Sequence, residues 1–195
     1  QLEEVAKLTF GDNLTKESLD KLASYGEIMS SHIITYALKS KGIEAIQVIA
    51  TDLITTNNNF GSADFLLQPS KRNIKRILPP IIKMGVVPVV TGFIGETKGG
   101  RTTTLGRGGS DYTASIIGFC LKASEIQIWT DVDGIFTADP RLVENARALQ
   151  TVSFKEASEL AAFGARVLHP RTIRPAIKAG IPVKVLNTFN PKNGG

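Results

Sequence analysis

The run Arg101-Thr102-Thr103-Thr104-Leu105-Gly106-Arg107-Gly108-Gly109-Ser110-Asp111-Tyr112-Thr113 decides how the rest of the chain is read. The apolar stretch Val86 to Val90 leads toward it as a strand, and Asp111 to Lys122 leaves it as a helix. Between them stand Gly106, Gly108 and Gly109. Glycine reaches φ > 0 and lets backbone N–H groups approach a ligand with no Cβ in the way. A glycine loop running into a helix N-terminus forms an anion site, because free N–H groups and the helix dipole point the same way. Arg107 adds a planar cation suited to carboxylate or phosphate. Ser110 and Asp111 are read as capping the helix or serving the ligand. The plain alternative is a capped turn that binds nothing, since turns use the same residues. The Arg between the glycines, the preceding threonines and the strand-to-helix junction argue against it. Ligands of parallel α/β sheets lie beyond the carboxyl ends of strands.

On the N-terminal side, Lys16 to Lys41 reads as helix, interrupted at Gly26 and ended at Gly42. Ala45 to Ile49 is a strand, and Thr51 to Gly61 is a loop containing Asn57, Asn58 and Asn59. Ile74, Ile77, Leu78, Ile81 and Ile82 recur at helical steps within 70–84. Pro79 and Pro80 are expected to kink or divide that helix before Gly85 stops it. On the C-terminal side, Ile126 to Thr130 is a strand, 154–163 is helical, Arg171 to Ala179 is a helix stopped by Gly180, and Val183 to Leu186 is the last strand. Alternating strands and helices argue for a mainly parallel sheet with helices on both faces.

The 195 residues fit one domain with a real core, and the apolar fraction of 42% is ordinary. The net charge of +5 is spread out, apart from Lys71, Arg72, Lys75 and Arg76, which share one helix face. No aromatic residues interleave with those cations, so they read as a solvated face rather than a nucleic-acid surface. No membrane-length apolar run is present. The single Cys120 forms no internal disulfide and reads as a core thiol, consistent with a reducing compartment such as the cytosol. His32 and His169 lack a second ligand at metal-binding spacing.

Gly106-Arg107-Gly108-Gly109-Ser110-Asp111 lacks the third glycine of a dinucleotide fingerprint. The stretch Gly95 to Thr102 comes near a Walker A loop, with Arg101 in the Lys position, but no apolar helix follows it directly. A second chemical stretch runs from Trp129 through Thr130, Asp131, Val132, Asp133 and Gly134 to Arg141. It places two acids at the end of a strand, where they can meet ribose hydroxyls, ordered water or metal. Phe136 offers a flat surface for a base, and Arg141 a clamp for phosphate. An acidic turn followed by an Asp-Pro turn accounts for the same pattern equally well.

The stretch Thr130 to Arg141 resembles the nucleotide-side motif of the amino-acid kinase superfamily, shared by uridylate and glutamate 5-kinases. Thr103 to Thr113 is similar to the substrate-side signature of aspartate kinases. Gly92-Phe93-Ile94-Gly95 and Phe163-Gly164-Ala165-Arg166-Val167-Leu168-His169-Pro170 match that family too. The resemblance spans about Leu22 to Gly195. It implies a three-layer αβα sandwich around a mainly parallel sheet, with ATP and Mg²⁺ as cofactors and L-aspartate as substrate. The product would be 4-phospho-L-aspartate, at the head of lysine, threonine and methionine biosynthesis.

On that resemblance Arg107 and Asp111 are catalytic. Glu27, Arg107, Gly108, Gly109 and Ser110 bind substrate, with Asn57 to Gly61 on the aspartate side. Thr130, Asp131, Phe136, Arg141, Arg166 and Val167 bind ATP. Asp111 would orient catalytic cations, and no residue is assigned as a dedicated metal ligand. Two positions depart from many relatives: Phe136 stands for Tyr, keeping stacking without a hydroxyl, and Arg166 stands for Lys, keeping charge with different geometry.

The sequence opens at Gln1 and ends on Asn193-Gly194-Gly195, which suggests a piece of a longer catalytic domain. The family's opening Lys-Phe-Gly-Gly strand and its regulatory ACT domains are not found in these 195 residues. Loss of a lysine acting on the transferring phosphoryl predicts an isolated chain with little activity. The expected setting is the cytosol, or a plastid in a plant, with homo-oligomers for the full-length protein and no nucleic-acid or membrane partner. Another amino-acid kinase and a non-catalytic nucleotide-binding module are the alternative readings.

Overall fold

The computed structural model describes residues 15–138, 142–162 and 171–192. The chain forms two compact units, residues 1–113 and 114–195.

The first unit opens with α1, Lys16–Ser40. Thr15 caps it, its side chain accepting from the Ser18 N–H at 3.1 Å, with Glu17 in the first turn and Lys39 in the last, as the helix dipole favours. The helix runs unbroken through Gly26, against the expected interruption. A Cβ at Gly26 would meet nothing within 4 Å, so the residue pays only glycine's backbone entropy, which tertiary packing of a 25-residue helix outweighs. Its buried face is polar, with Asp20, Ser24, Ser31 and Thr35. Ser24, Ser31 and Thr35 donate back to carbonyls of the preceding turn, which satisfies them.

β1, Ala45–Val48, pairs in parallel with β3, Val87–Val90, in the register Ala45↔Val87. A 3₁₀ turn, Ala50–Asp52, and β2, Thr55–Thr56, lie in the segment expected to be loop. β2 is parallel to β4, Ile94–Thr97, and β4 turns back antiparallel onto β5, Thr102–Thr104. That hairpin is the stretch that came near a phosphate loop. Gly100 sits in its turn at φ 78°, and Gly95 lies on the strand where a Cβ would be 2.8 Å from the Ile54 carbonyl oxygen. Its glycines serve a tight turn and a close strand contact.

Between β2 and β3 runs α2, Leu67–Lys83. Pro79 and Pro80 do not divide it. The carbonyls they leave without partners belong to Lys75 and Arg76, on the exposed face where water replaces the lost bonds. Ile74 and Leu78 are buried on the opposite side, and Leu53, Ile54, Ile94 and Leu105 complete the core of this unit. Lys71, Arg72, Lys75 and Arg76 line the outer face, as their spacing predicts.

α3, Gly109–Leu121, begins in the first unit and continues into the second. Ser110 and Asp111 therefore lie inside its first turn rather than at its cap. In the second unit β6, Ile126–Thr130, pairs in parallel with β9, Val183–Asn187. Ile126, Ala176 and Ile181 form its core, with Ala114, Ile128 and Val183 packed against them. β7, Ile135–Phe136, is antiparallel to β8, Ala148–Leu149. α4 spans Phe154–Ala162. α5, Arg174–Ala179, starts later than periodicity suggests because Pro175 favours the first turn, and Gly180 ends it at φ 65°.

Candidate functional site

Beyond β3 the chain passes through Thr91, Gly92 and Phe93, which hold the glycine loop from behind. Thr91 Oγ1 accepts from the Ala50 N–H at 2.8 Å. Phe93 adopts φ 68°, an uncommon conformation for a residue with a Cβ. It is locked on both sides. Its N–H donates to Thr113 Oγ1 at 3.1 Å, and its carbonyl accepts from the Leu105 N–H at 2.8 Å. A Cβ on Gly109 would stand 2.6 Å from Phe93 Cδ2, and one on Gly92 would stand 2.7 Å from Ser110 Oγ. These two glycines let strand end and helix start approach backbone to backbone.

Gly106 and Gly108 take φ 77° and 69°, and the Gly109 N–H closes a turn onto the Gly106 carbonyl at 2.9 Å. α3 thus starts abruptly at Gly109, and the first N–H groups of the helix have no carbonyl of its own to bond. Glu27, Gly61, Phe93, Gly106, Arg107, Gly108, Gly109 and Ser110 line an open pocket of about 490 Å³. Glu27, Arg107, Gly108, Gly109 and Ser110, five residues singled out from the sequence, are therefore brought together within the first unit. Gly61 joins them from the Asn57–Gly61 loop, whereas Asn57, Asn58 and Asn59 do not line the pocket. Phe93 was not assigned a site role from the sequence; the glycine on each side of Gly92-Phe93-Ile94-Gly95 was the available signal.

Arg107 and Ser110 are exposed, and Glu27 is half-buried. Burial pushes the Glu27 carboxyl above its ordinary value, and the same desolvation raises Asp111. Asp111 is half-buried one position further into α3 and is not among the lining side chains. A carboxylate and a guanidinium on one pocket, beside open helix N–H groups, suit a ligand carrying both an ammonium and a carboxylate.

In the second unit Thr130 ends β6, and its hydroxyl donates to Asp131 Oδ1 at 3.2 Å. Asp131 is exposed and Phe136 is half-buried on β7. Asp133 is engaged elsewhere. Its Oδ1 accepts from Asn187 Nδ2 at 2.8 Å and Asn190 Nδ2 at 3.1 Å, which ties the acidic turn to the end of β9. Of the two acids, Asp131 is the one left facing solvent. Arg141, Arg166, Val167 and His169 lie outside the described residues. His32 is exposed, with Nδ1 3.3 Å from Gln47 Oε1, and has no part in either site.

The chain is 42% identical over 194 residues to lysine-sensitive aspartokinase 3 of Escherichia coli K12, covering all of this chain and 42% of that protein. It is 42% identical over 200 residues to the chloroplastic aspartokinase 1 of Arabidopsis thaliana, covering 35% of it. The crystal structure of E. coli aspartokinase III with aspartate and ADP superposes at a TM-score of 0.94 and 40% identity, over all of this chain and 44% of that one. The α/β fold with a parallel central sheet expected from the sequence is the fold of that structure. The chain spans roughly two fifths of the length of these relatives. A family model described as the amino acid kinase family matches residues 2–187, and with that match the chain belongs to the amino acid kinase family.

Proposed function

We propose that this chain carries the catalytic-domain part of an aspartate kinase, which transfers the γ-phosphoryl of ATP to the side-chain carboxylate of L-aspartate. The observation that supports this most directly is the convergence of Glu27, Arg107 and the glycine-rich start of α3 on one pocket. Glu27 receives the substrate ammonium, and Arg107 clamps a carboxylate. Gly108 and Ser110 offer backbone donors and Ser110 a hydroxyl, while Gly109, whose N–H bonds the Gly106 carbonyl, lets the helix start close on Phe93 without a Cβ in the way. A relative of 40% identity whose structure contains aspartate and ADP supports the same pairing of ligands.

The substrate carboxylate is its own nucleophile. One of its oxygens bonds to the γ-phosphorus as the bond from that phosphorus to the β–γ bridging oxygen breaks. The products are ADP and an acyl phosphate. Such a transfer asks for alignment and charge neutralisation rather than a protein nucleophile. Thr130, Asp131 and Phe136, with Arg141, Arg166 and Val167, serve ATP: hydroxyl and carboxylate toward ribose and water, the ring toward the base, cations toward phosphate.

Mg²⁺ fits as an ion that arrives on the nucleotide. Among the described residues no group of three His, Cys, Asp or Glu converges to cage a metal. Mg²⁺ commonly keeps its waters and binds substrate phosphates with one or two carboxylates, and it neutralises charge on the transferring group. Asp111, in the first turn of α3, is the carboxylate we assign to that task. The setting is the cytosol, or a plastid for a plant source, and the domain assignment is a partial kinase domain in a homo-oligomeric enzyme.

The test is a substrate panel on the full-length protein that contains this chain, with ADP release coupled to a spectroscopic readout. Aspartate should be turned over and glutamate should not. Arg107→Ala should lower kcat/KM for aspartate by about 100-fold, the scale of a lost charge-assisted contact, while ATP binding stays. Equal use of glutamate, or no effect of Arg107→Ala, would overturn the assignment.

A further inference from the structure

One charged side chain of the first unit is almost completely buried and has no assigned task. Asp20, on α1, is 3% exposed. Its Oδ2 accepts from the Gly61 N–H at 2.8 Å and from the Thr104 N–H at 2.9 Å. Its Oδ1 accepts from the Thr104 hydroxyl at 2.7 Å. A carboxylate taken out of water is tolerable only when its lone pairs are matched in this way, and for stability alone a well-packed apolar residue often serves as well. Position therefore carries the meaning of Asp20.

The two segments it joins both run into the pocket. Gly61 lines it directly, and Thr104 stands two residues before Gly106, the first glycine of the loop. The segments are stitched further by the Ala63 N–H to the Thr104 carbonyl at 2.8 Å. Gly106 is so close to Gly61 and Ser62 that a Cβ would come within 3.2 Å of the Gly61 carbonyl oxygen. On the outer side, Glu17 pairs with Arg101 at 3.1 Å, and the Arg101 guanidinium lies over the Phe60 ring at 5.0 Å. The first turns of α1 thus hold the 60–61 loop and the 101–104 strand from outside and inside. Glu27 lies seven residues beyond Asp20, two turns along the same helix face.

We propose that Asp20 is a positioning residue: by binding the backbones of Gly61 and Thr104 together, it fixes the gap between Glu27 and the Arg107–Ser110 cradle. On the reading of this pocket, that gap receives the ammonium and the carboxylate of one α-amino acid. The proposal rests on reading this pocket as the amino-acid site. Its consequence is a specific loss of amino-acid affinity when the strap is cut, with nucleotide affinity untouched.

The experiment compares wild type with Asp20→Ala, Asp20→Asn and Thr104→Val, each made in the full-length protein that contains this chain, in steady-state kinetics and amide hydrogen exchange. Asp20→Ala should raise KM for aspartate about tenfold or more, because small misplacements of substrate-holding groups are costly, with KM for ATP unchanged. Asn can still accept the two N–H bonds and donate to the Thr104 hydroxyl, so Asp20→Asn should fall between wild type and Ala. Thr104→Val removes only the hydroxyl bond and should move KM for aspartate the same way by less, which keeps the test informative if the Ala variant fails to fold. The amides of Gly61 and of residues 104–110 should exchange faster in the same order of variants. A lower Tm with both KM values unchanged, or KM values for aspartate and ATP rising together, would overturn the proposal. If the full-length wild-type protein does not turn over aspartate, the functional reading fails on its own. Exchange then decides the strap separately: unchanged protection at Gly61 and residues 104–110 in Asp20→Ala removes it, and accelerated exchange there upholds it.

Discussion

Glu27 illustrates how one side chain couples burial to recognition. Its carboxyl is pushed up by desolvation, and the proposed ammonium contact needs it ionised. As pH falls through this raised value, Glu27 takes a proton, and in the proposed amino-acid site affinity for aspartate should then fall. For folding the sign is opposite. Above the raised pKa the native state carries the cost of a half-buried charge, and that cost is relieved as pH falls through it. Affinity and this contribution to stability should therefore move in opposite directions over one window, placed above the ordinary glutamate range. Glu27→Gln should remove the acidic limb of the calorimetric binding profile and weaken binding at neutral pH by about 1.5–3 kcal/mol, the range for hydrogen bonds to charged groups. A profile that keeps its acidic limb in the Gln variant would place the titration elsewhere.

α1 shows that a local preference is decided by its surroundings. Gly26 reads as an interruption in the sequence, yet the helix passes through it with open space where a Cβ would be. Gly26→Ala should stabilise the protein by about 0.5–1 kcal/mol, the helical cost of glycine, visible as a higher Tm. A lower Tm would mean that the glycine is needed for the approach of a neighbour. Pro79 and Pro80 teach the same lesson in α2, because the carbonyls they orphan face water. The hairpin of β4 and β5 escaped sequence reading for a different reason. Its strands are short and polar, with threonines whose burial is visible only once they are paired, so no alternation marks it. Thr56 and Thr103 share a buried hydroxyl bond of 2.7 Å that supplies what the pattern lacks.

Across the chain the single cysteine is a probe of integrity. Cys120 is 1% exposed on α3. Thiol reagent should modify one group per chain, at a rate that follows unfolding in rising denaturant, and reductant should leave Tm unchanged. Fast labelling of native protein would show that α3 opens locally. The long amphipathic stretches were legible at this level: α2, the end of α3, β6 and β9 follow from apolar spacing and glycine stops. The parallel pairing of β1 with β3 and of β6 with β9 follows from strands separated by helices. Among the described site residues, those on the glycine loop were legible because φ > 0 and close approach restrict the residue type.

What the linear order fixed is chemistry with a local cause: where turns fall, which face is apolar, and which loop can expose N–H groups to an anion. What folding decided is partnership between distant positions. Asp133 reads as a ligand for ribose or metal in the sequence, and only the fold shows its Oδ1 accepting from Asn187 and Asn190. Asp20 gave no signal at all until Gly61 and Thr104 were brought to it across the first unit. A carboxylate's role depends on which donors surround it, and those donors arrive from segments tens of residues away, so periodicity and spacing carry no trace of them.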